Sequence, residues 1–122
     1  MRKVIANEFM SLDGVVQAPG GADEDTSGGL ERYFDELSQK WVLESIVEAG
    51  GFLLGRRTYE IFAAYWPKAP EEEQVIAKPL NTKPKYVAST TLSDPLEWQN
   101  STVLQGEVAE AVSVLKQQDG AD

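Results

Sequence analysis

Two hydrophobic rhythms alternate along this chain. Lys3 to Met10 carries Val4, Ile5, Ala6, Phe9 and Met10, a mostly apolar, β-compatible run closed by the turn dipeptide Asp13-Gly14 before Val15-Val16. This pattern predicts a first strand over about residues 2–10. Gln17 to Gly29 holds one proline, four glycines and few apolar residues, which predicts a long, exposed and comparatively mobile loop over one end of the sheet. From Leu30 the rhythm changes. Leu30, Tyr33, Phe34, Leu37, Trp41, Val42 and Ile46 recur at three- and four-residue spacing, as one or two amphipathic helices require, up to Gly50-Gly51.

Phe52-Leu53-Leu54 is the core of a second strand, expected over 51–55. A helix starting at Arg57-Thr58 carries Ile61, Phe62 and Tyr65 and is expected to end at Pro67. A short helix over Glu71 to Lys78, stopped by Pro79, precedes a third strand over 84–89 and a fourth over 101–105. A last helix from Glu107 to Lys116 puts Val108, Ala111, Val112 and Leu115 on one face. There is no internal repeat. Strands alternating with helices predict a single α/β domain, with strands two, three and four parallel and joined by helical crossovers.

The segment Gly51-Phe52-Leu53-Leu54-Gly55-Arg56-Arg57-Thr58-Tyr59-Glu60 runs an apolar strand through one glycine into a helix opening with two arginines and a threonine. A helix start leaves backbone N–H groups unpaired and carries partial positive charge, so a phosphate there gains hydrogen bonds and electrostatics together. Gly55 would let the backbone approach a ligand closely. The plainer alternative is a strand-to-helix turn with two solvated arginines, because arginine favours the last turn of a helix rather than the first. In a parallel sheet, ligands sit beyond the carboxyl ends of the strands. Gly55 to Thr58 after strand two and Ser89, Thr90 and Thr91 after strand three would share one crevice, suited to two phosphates or a phosphate and a ribose.

Composition narrows the chemistry. The 122 residues, 42% apolar, are enough for one domain with a real core. No apolar run approaches a membrane span, and Asn7 and Glu8 interrupt the start before a signal-type core forms, so a cytoplasmic protein is expected. With no cysteine and no histidine, thiol and imidazole catalysis and nearly every zinc arrangement are excluded. Eleven basic against 20 acidic residues give a net charge of −9, which repels nucleic acid and anionic membranes and isolates Arg56-Arg57 as a local positive spot. Asp23-Glu24-Asp25 and Glu71-Glu72-Glu73 read as solvated surface rather than metal ligands.

The ordered set Ser11-Leu12-Asp13-Gly14-Val15, Leu54-Gly55-Arg56-Arg57-Thr58-Tyr59-Glu60, Pro84-Lys85-Tyr86-Val87-Ala88-Ser89-Thr90-Thr91-Leu92 and Trp98 with Asn100-Ser101-Thr102 resembles the dihydrofolate reductase superfamily. More narrowly, it is similar to bacterial proteins related to the reductase domain of riboflavin biosynthesis. The resemblance implies a three-layer α/β/α fold with a mostly parallel sheet, NADPH as cofactor, and reduction of a small heterocyclic or carbonyl substrate. It places Gly55, Arg56, Arg57 and Thr58 at the pyrophosphate and 2′-phosphate, Ser89, Thr90 and Thr91 near the adenosine side, and Ala6, Asp13 and Gly14 along the nicotinamide and substrate cleft.

Asp13 is the first choice for a polar substrate contact, against the alternative of a turn former; Asp35 and Glu36 are weaker candidates. The family domain continues with a further strand, a glycine-serine turn, a helix and more strands, so the chain is expected to represent its N-terminal two-thirds. The first strand would then lie on an open sheet edge that favours a homodimer. The rival to the reductase reading is a non-catalytic nucleotide-binding or strand-pairing module.

Overall fold

The computed structural model describes residues 1–16 and 35–122. The expected Gln17–Gly29 loop, and the start of the first helical stretch at Leu30, Tyr33 and Phe34, lie outside those residues. Helix α1 spans Glu36–Glu48, strand β1 Phe52–Gly55, helix α2 Arg56–Tyr65, helix α3 Gln74–Thr82, strand β2 Lys85–Ala88, strand β3 Ser101–Val103 and helix α4 Val108–Gln117. The strands form one parallel sheet in the order β1-β2-β3. Leu53 stands beside Tyr86, and Tyr86 beside Thr102. The α/β class, the parallel sheet and the neighbour relation of the strands around residues 53, 86 and 102 are as the sequence predicts.

Period-two alternation decides which way the sheet faces. Phe52, Leu54, Lys85, Val87 and Val103 share one face, because register pairs Phe52 with Lys85 and Leu54 with Val87, and Val87 with Val103. On that face the core gathers Tyr59, Leu80, Val87 and Trp98, with Ile46, Phe62, Ala63, Trp66, Ile76, Leu92 and Leu96 packed around them. The Tyr59 and Trp98 rings meet at a 6.1 Å centroid distance and a 41° tilt, within the range favoured by aromatic pairs. Leu53, on the other face, is exposed.

The structure corrects four expectations. Residues 2–10 form no strand. Their polar groups turn elsewhere: Arg2 N–H donates to Lys116 O at 2.8 Å, Arg2 Nε to Ala121 O at 2.6 Å, and Asn7 Nδ2 to Ser45 Oγ at 2.9 Å. Among the described residues β1 is therefore one open edge of the sheet and β3 the other. Second, Pro79 lies inside α3 rather than ending it. The N–H it lacks would have met the carbonyl of Val75, an exposed residue whose carbonyl water can serve, while Ala77 and Leu80 bury on the core side and hold the helix through the proline.

Third, residues 89–100, between β2 and β3, contain no helix. This crossover is an irregular strap whose Leu92, Leu96 and Trp98 fill the core. Tyr59 Oη accepts from Trp98 N–H at 3.2 Å, a side chain satisfying strap backbone that a helix would have satisfied internally, and the strap's Asp94 Oδ1 accepts from Val103 N–H of β3 at 3.0 Å, pinning strap to sheet. Fourth, Leu37 and Trp41 on α1 are exposed rather than in the core, and Ile46 is the α1 residue that packs into it.

Two lysines hold the amino end of the sheet. Lys83 Nζ donates to Val47 O and Ala49 O, both at 2.5 Å, satisfying carbonyls at the end of α1. Lys85, fully buried, donates to Leu80 O at 2.7 Å, Lys83 O at 3.0 Å and Asn81 O at 3.3 Å, at the end of α3. A cation at a helix carboxyl end meets orphan carbonyls and the negative end of the dipole together. Burial pushes the Lys83 ammonium below its ordinary pKa and that of Lys85 to about 8.

Candidate active site

Gly55 is the last residue of β1 and the N-cap of α2, with φ −76° and ψ 163°. These angles are open to any residue, and a Cβ built on Gly55 would meet no heavy atom within 4 Å. Neither backbone conformation nor packing against the chain's described residues calls for glycine here. No side chain caps α2, so the N–H groups of its first turn stay available. Gly55, Arg56, Arg57 and Thr58 are all exposed.

Parallel pairing brings the second cluster alongside. Gly55 is in register with Ala88, so the chain leaves β1 into Arg56 and β2 into Ser89 at neighbouring points, about 5 Å apart by ordinary strand spacing. Ser89 Oγ accepts from Thr91 N–H at 3.1 Å and Leu92 N–H at 3.0 Å, a local turn that keeps Thr90 and Thr91 just past the end of β2. Thr90 and Thr91 are exposed. The structure thus joins Gly55–Thr58 and Ser89–Thr91 into one polar rim.

The two arginines differ. Arg56 Nη1 donates to Glu60 Oε2 at 2.7 Å, one helical turn on. Arg57 makes no ion pair among the described residues. The i, i+4 spacing of Arg56 and Glu60 is the sequence signal that would have paired them.

The other predicted residues sit in a separate segment. Asp13 and Gly14 form a turn in which Gly14 takes φ 88°, a conformation that favours glycine, and Gly14 N–H donates to Ser11 O at 3.0 Å. Ser11 Oγ donates to Asp13 Oδ1 at 2.5 Å and holds that carboxyl below its usual pKa. Ala6 precedes Asn7, whose amide reaches Ser45 of α1. Beside this segment an open apolar groove is lined by Phe9, Leu37, Ser38, Trp41 and Val42. Asp35 is the N-cap of α1, accepting from Ser38 N–H at 2.8 Å, and hydrogen bonding from the Ser38 side chain first, then from that N–H, holds its carboxyl below its usual pKa. Glu36 stands in the first turn of α1.

Among the described residues no group of acidic side chains is placed to hold a metal ion, and no helix is long and apolar enough to cross a membrane. The donor set at the strand ends, backbone N–H groups, guanidinium and hydroxyls, fits a phosphorylated ligand. No curated protein matches the chain. The family model of the RibD C-terminal domain matches residues 2–121, nearly the whole sequence. The chain therefore belongs to the RibD C-terminal domain family, the riboflavin-biosynthesis reductase-like members of the dihydrofolate reductase-like fold.

Proposed function

We propose that this chain binds NADPH at the shared carboxyl end of β1 and β2 and uses it to reduce a small heterocyclic or carbonyl substrate. The observation that carries the reading is Gly55: at a helix start with free N–H groups, neither its φ nor its packing requires glycine, so the open space over it suits a ligand's phosphate. In this reading the first turn of α2 with Arg57 and Thr58 takes phosphate oxygens, and Arg56 contributes as far as Glu60 releases it. Thr90 and Thr91 offer hydroxyls to the adenosine side. The reduced nicotinamide supplies the hydride.

In this reading the substrate side is the groove of Phe9, Trp41 and Val42, whose aromatic face suits a planar ring, and Ala6, Asp13 and Gly14 belong to the same chain segment as Phe9. Titration of the protein with NADPH and NADH, followed by fluorescence, tests the reading. Saturable binding that favours NADPH supports it, and failure to bind either nucleotide removes it.

A second reading is favoured by the open edge of β1 and the exposed Val4, Ile5, Met10 and Leu53: a module that pairs with a second copy of the chain. Obligate self-association without nucleotide binding would select it. The two readings are compatible if a homodimer binds NADPH.

A further inference from the structure

Glu60 is placed where an ordinary helix-stabilising acid would not be. A carboxylate helps a helix in the first turn and a cation in the last, and an acid preceding a base by four residues is the better order. Here the order is reversed: Arg56 stands at the positive end of α2, and Glu60 one turn further in reaches back to it at 2.7 Å. Both side chains remain a little under half exposed, at 44% and 45%. In that setting the pair contributes little to stability, because exposed ion pairs are screened and cost side-chain entropy. Its larger effect falls on Arg56 itself, whose guanidinium is partly neutralised at the point where a phosphate would arrive. Arg57, one residue on, has no such partner among the described residues.

We propose that Glu60 is a specificity-determining residue, a carboxylate that competes with the nucleotide for Arg56. It holds down the preference for NADPH over NADH. The inference rests on the reading of the β1–β2 end as an NADPH site and names how strongly that site discriminates. Arg57 and the helix N–H groups meet phosphate unopposed. Arg56 joins them only by exchanging one anion, the Glu60 carboxylate, for another, the 2′-phosphate. A ligand without that phosphate has nothing to exchange and is nearly indifferent to Glu60.

The competition works through Arg56, which makes it separable from simple repulsion between Glu60 and the ligand. Titrations of NADPH and NADH against the wild-type chain, Glu60→Gln, Glu60→Asp, Arg56→Ala and the Arg56→Ala/Glu60→Gln double variant measure it. Breaking an exposed pair of this kind corresponds to about a 2- to 5-fold change in affinity. Glu60→Gln is expected to raise NADPH affinity, and the NADPH/NADH ratio, by that factor. Glu60→Asp keeps the charge and stays near wild type. In the Arg56→Ala background Glu60→Gln adds nothing, as a double-mutant cycle requires when one residue acts through the other. A ratio unchanged or lowered by Glu60→Gln overturns the inference, as does a gain of the same size without Arg56, while leaving NADPH binding itself intact. A wild-type chain that binds neither nucleotide overturns the site reading, and this inference with it. Thermal midpoints of the variants within a few degrees of wild type show that the readout is binding rather than folding.

Discussion

Lys85 places its ammonium 4.3 Å from the ring centre of Trp98, and both side chains are buried. The same ammonium serves three carbonyls, so one charged atom is held by an aromatic face and a helix end together. Trp98 Nε1 in turn donates to Asn81 Oδ1 at 2.7 Å, and Asn81 Nδ2 donates to Trp66 O at 2.9 Å. Strap, sheet and helices α2 and α3 are tied through this one cluster.

Lys85→Ala leaves the carbonyls of Leu80, Asn81 and Lys83 without their donor in a buried place. It is expected to cost about 2–4 kcal/mol of stability, read as a lower urea midpoint. Asn81→Ala removes one acceptor and one donor and is expected to cost about 1–3 kcal/mol by the same measurement.

Burial holds the Lys85 pKa at about 8 in the folded chain, below its ordinary 10.5. Between these values the unfolded chain binds more protons than the folded one, so the Lys85 contribution to stability grows as pH rises through that window. It is complete above 10.5 and is lost as pH falls through 8. Urea unfolding across pH 7.5–10.5 should show this upward component in the wild type and its absence in Lys85→Met.

Gly55→Ala separates folding from binding. The added methyl group meets nothing in the chain and needs no unusual φ, so stability should change by no more than about 1 kcal/mol. NADPH affinity should fall at least 10-fold, read by fluorescence titration. A variant that binds as tightly as wild type would show that no ligand approaches Gly55.

Arg57→Ala should weaken NADPH binding by about 10- to 100-fold, the equivalent of a charge-assisted contact of roughly 1.5–3 kcal/mol, and hardly affect NADH. Arg56→Ala should cost less, because the arginine must first leave Glu60. Equal losses in the two variants would contradict the inequality of the pair.

The open edge of β1 and the exposed Ile5, Met10 and Leu53 should bring copies together. Sedimentation at micromolar concentration is expected to show a dimer. Leu53→Lys should shift it toward monomer, and a wild-type monomer would refute the assignment.

The β1–α2 junction was legible because its signals are local: an apolar triplet, a glycine, then a polar helix start with Tyr59 and Phe62 at core spacing. The Ser89 turn was legible for the same reason. Residues 2–10 misled because strand propensity says only that a segment can pair, and whether it pairs depends on a neighbour distant in sequence. Pro79 misled because its local cost is outweighed by burial of Ala77 and Leu80, which only the assembled fold supplies. Lys85 carried no local sign at all; a lysine at a core-facing strand position becomes intelligible only once the carbonyls of α3 are seen around it. Composition could not separate Arg56 from Arg57, whereas the distance to Glu60 does.

The strands are four residues or shorter, so the Lys85 cluster at their amino ends and the Gly55–Ser89 rim at their carboxyl ends are only about 10 Å apart, yet they share no hydrogen bond among the described residues. Robustness and chemistry occupy opposite poles of a very small object. A lineage that retains the lysine-tryptophan pole can rewrite the rim, changing nucleotide preference or substrate through a few exposed positions, with little risk to folding. Such a division makes the domain evolvable. Its tolerance should be lopsided, with random substitutions surviving at Arg56, Thr58 and Thr90 far more often than at Asn81, Lys85 or Trp98.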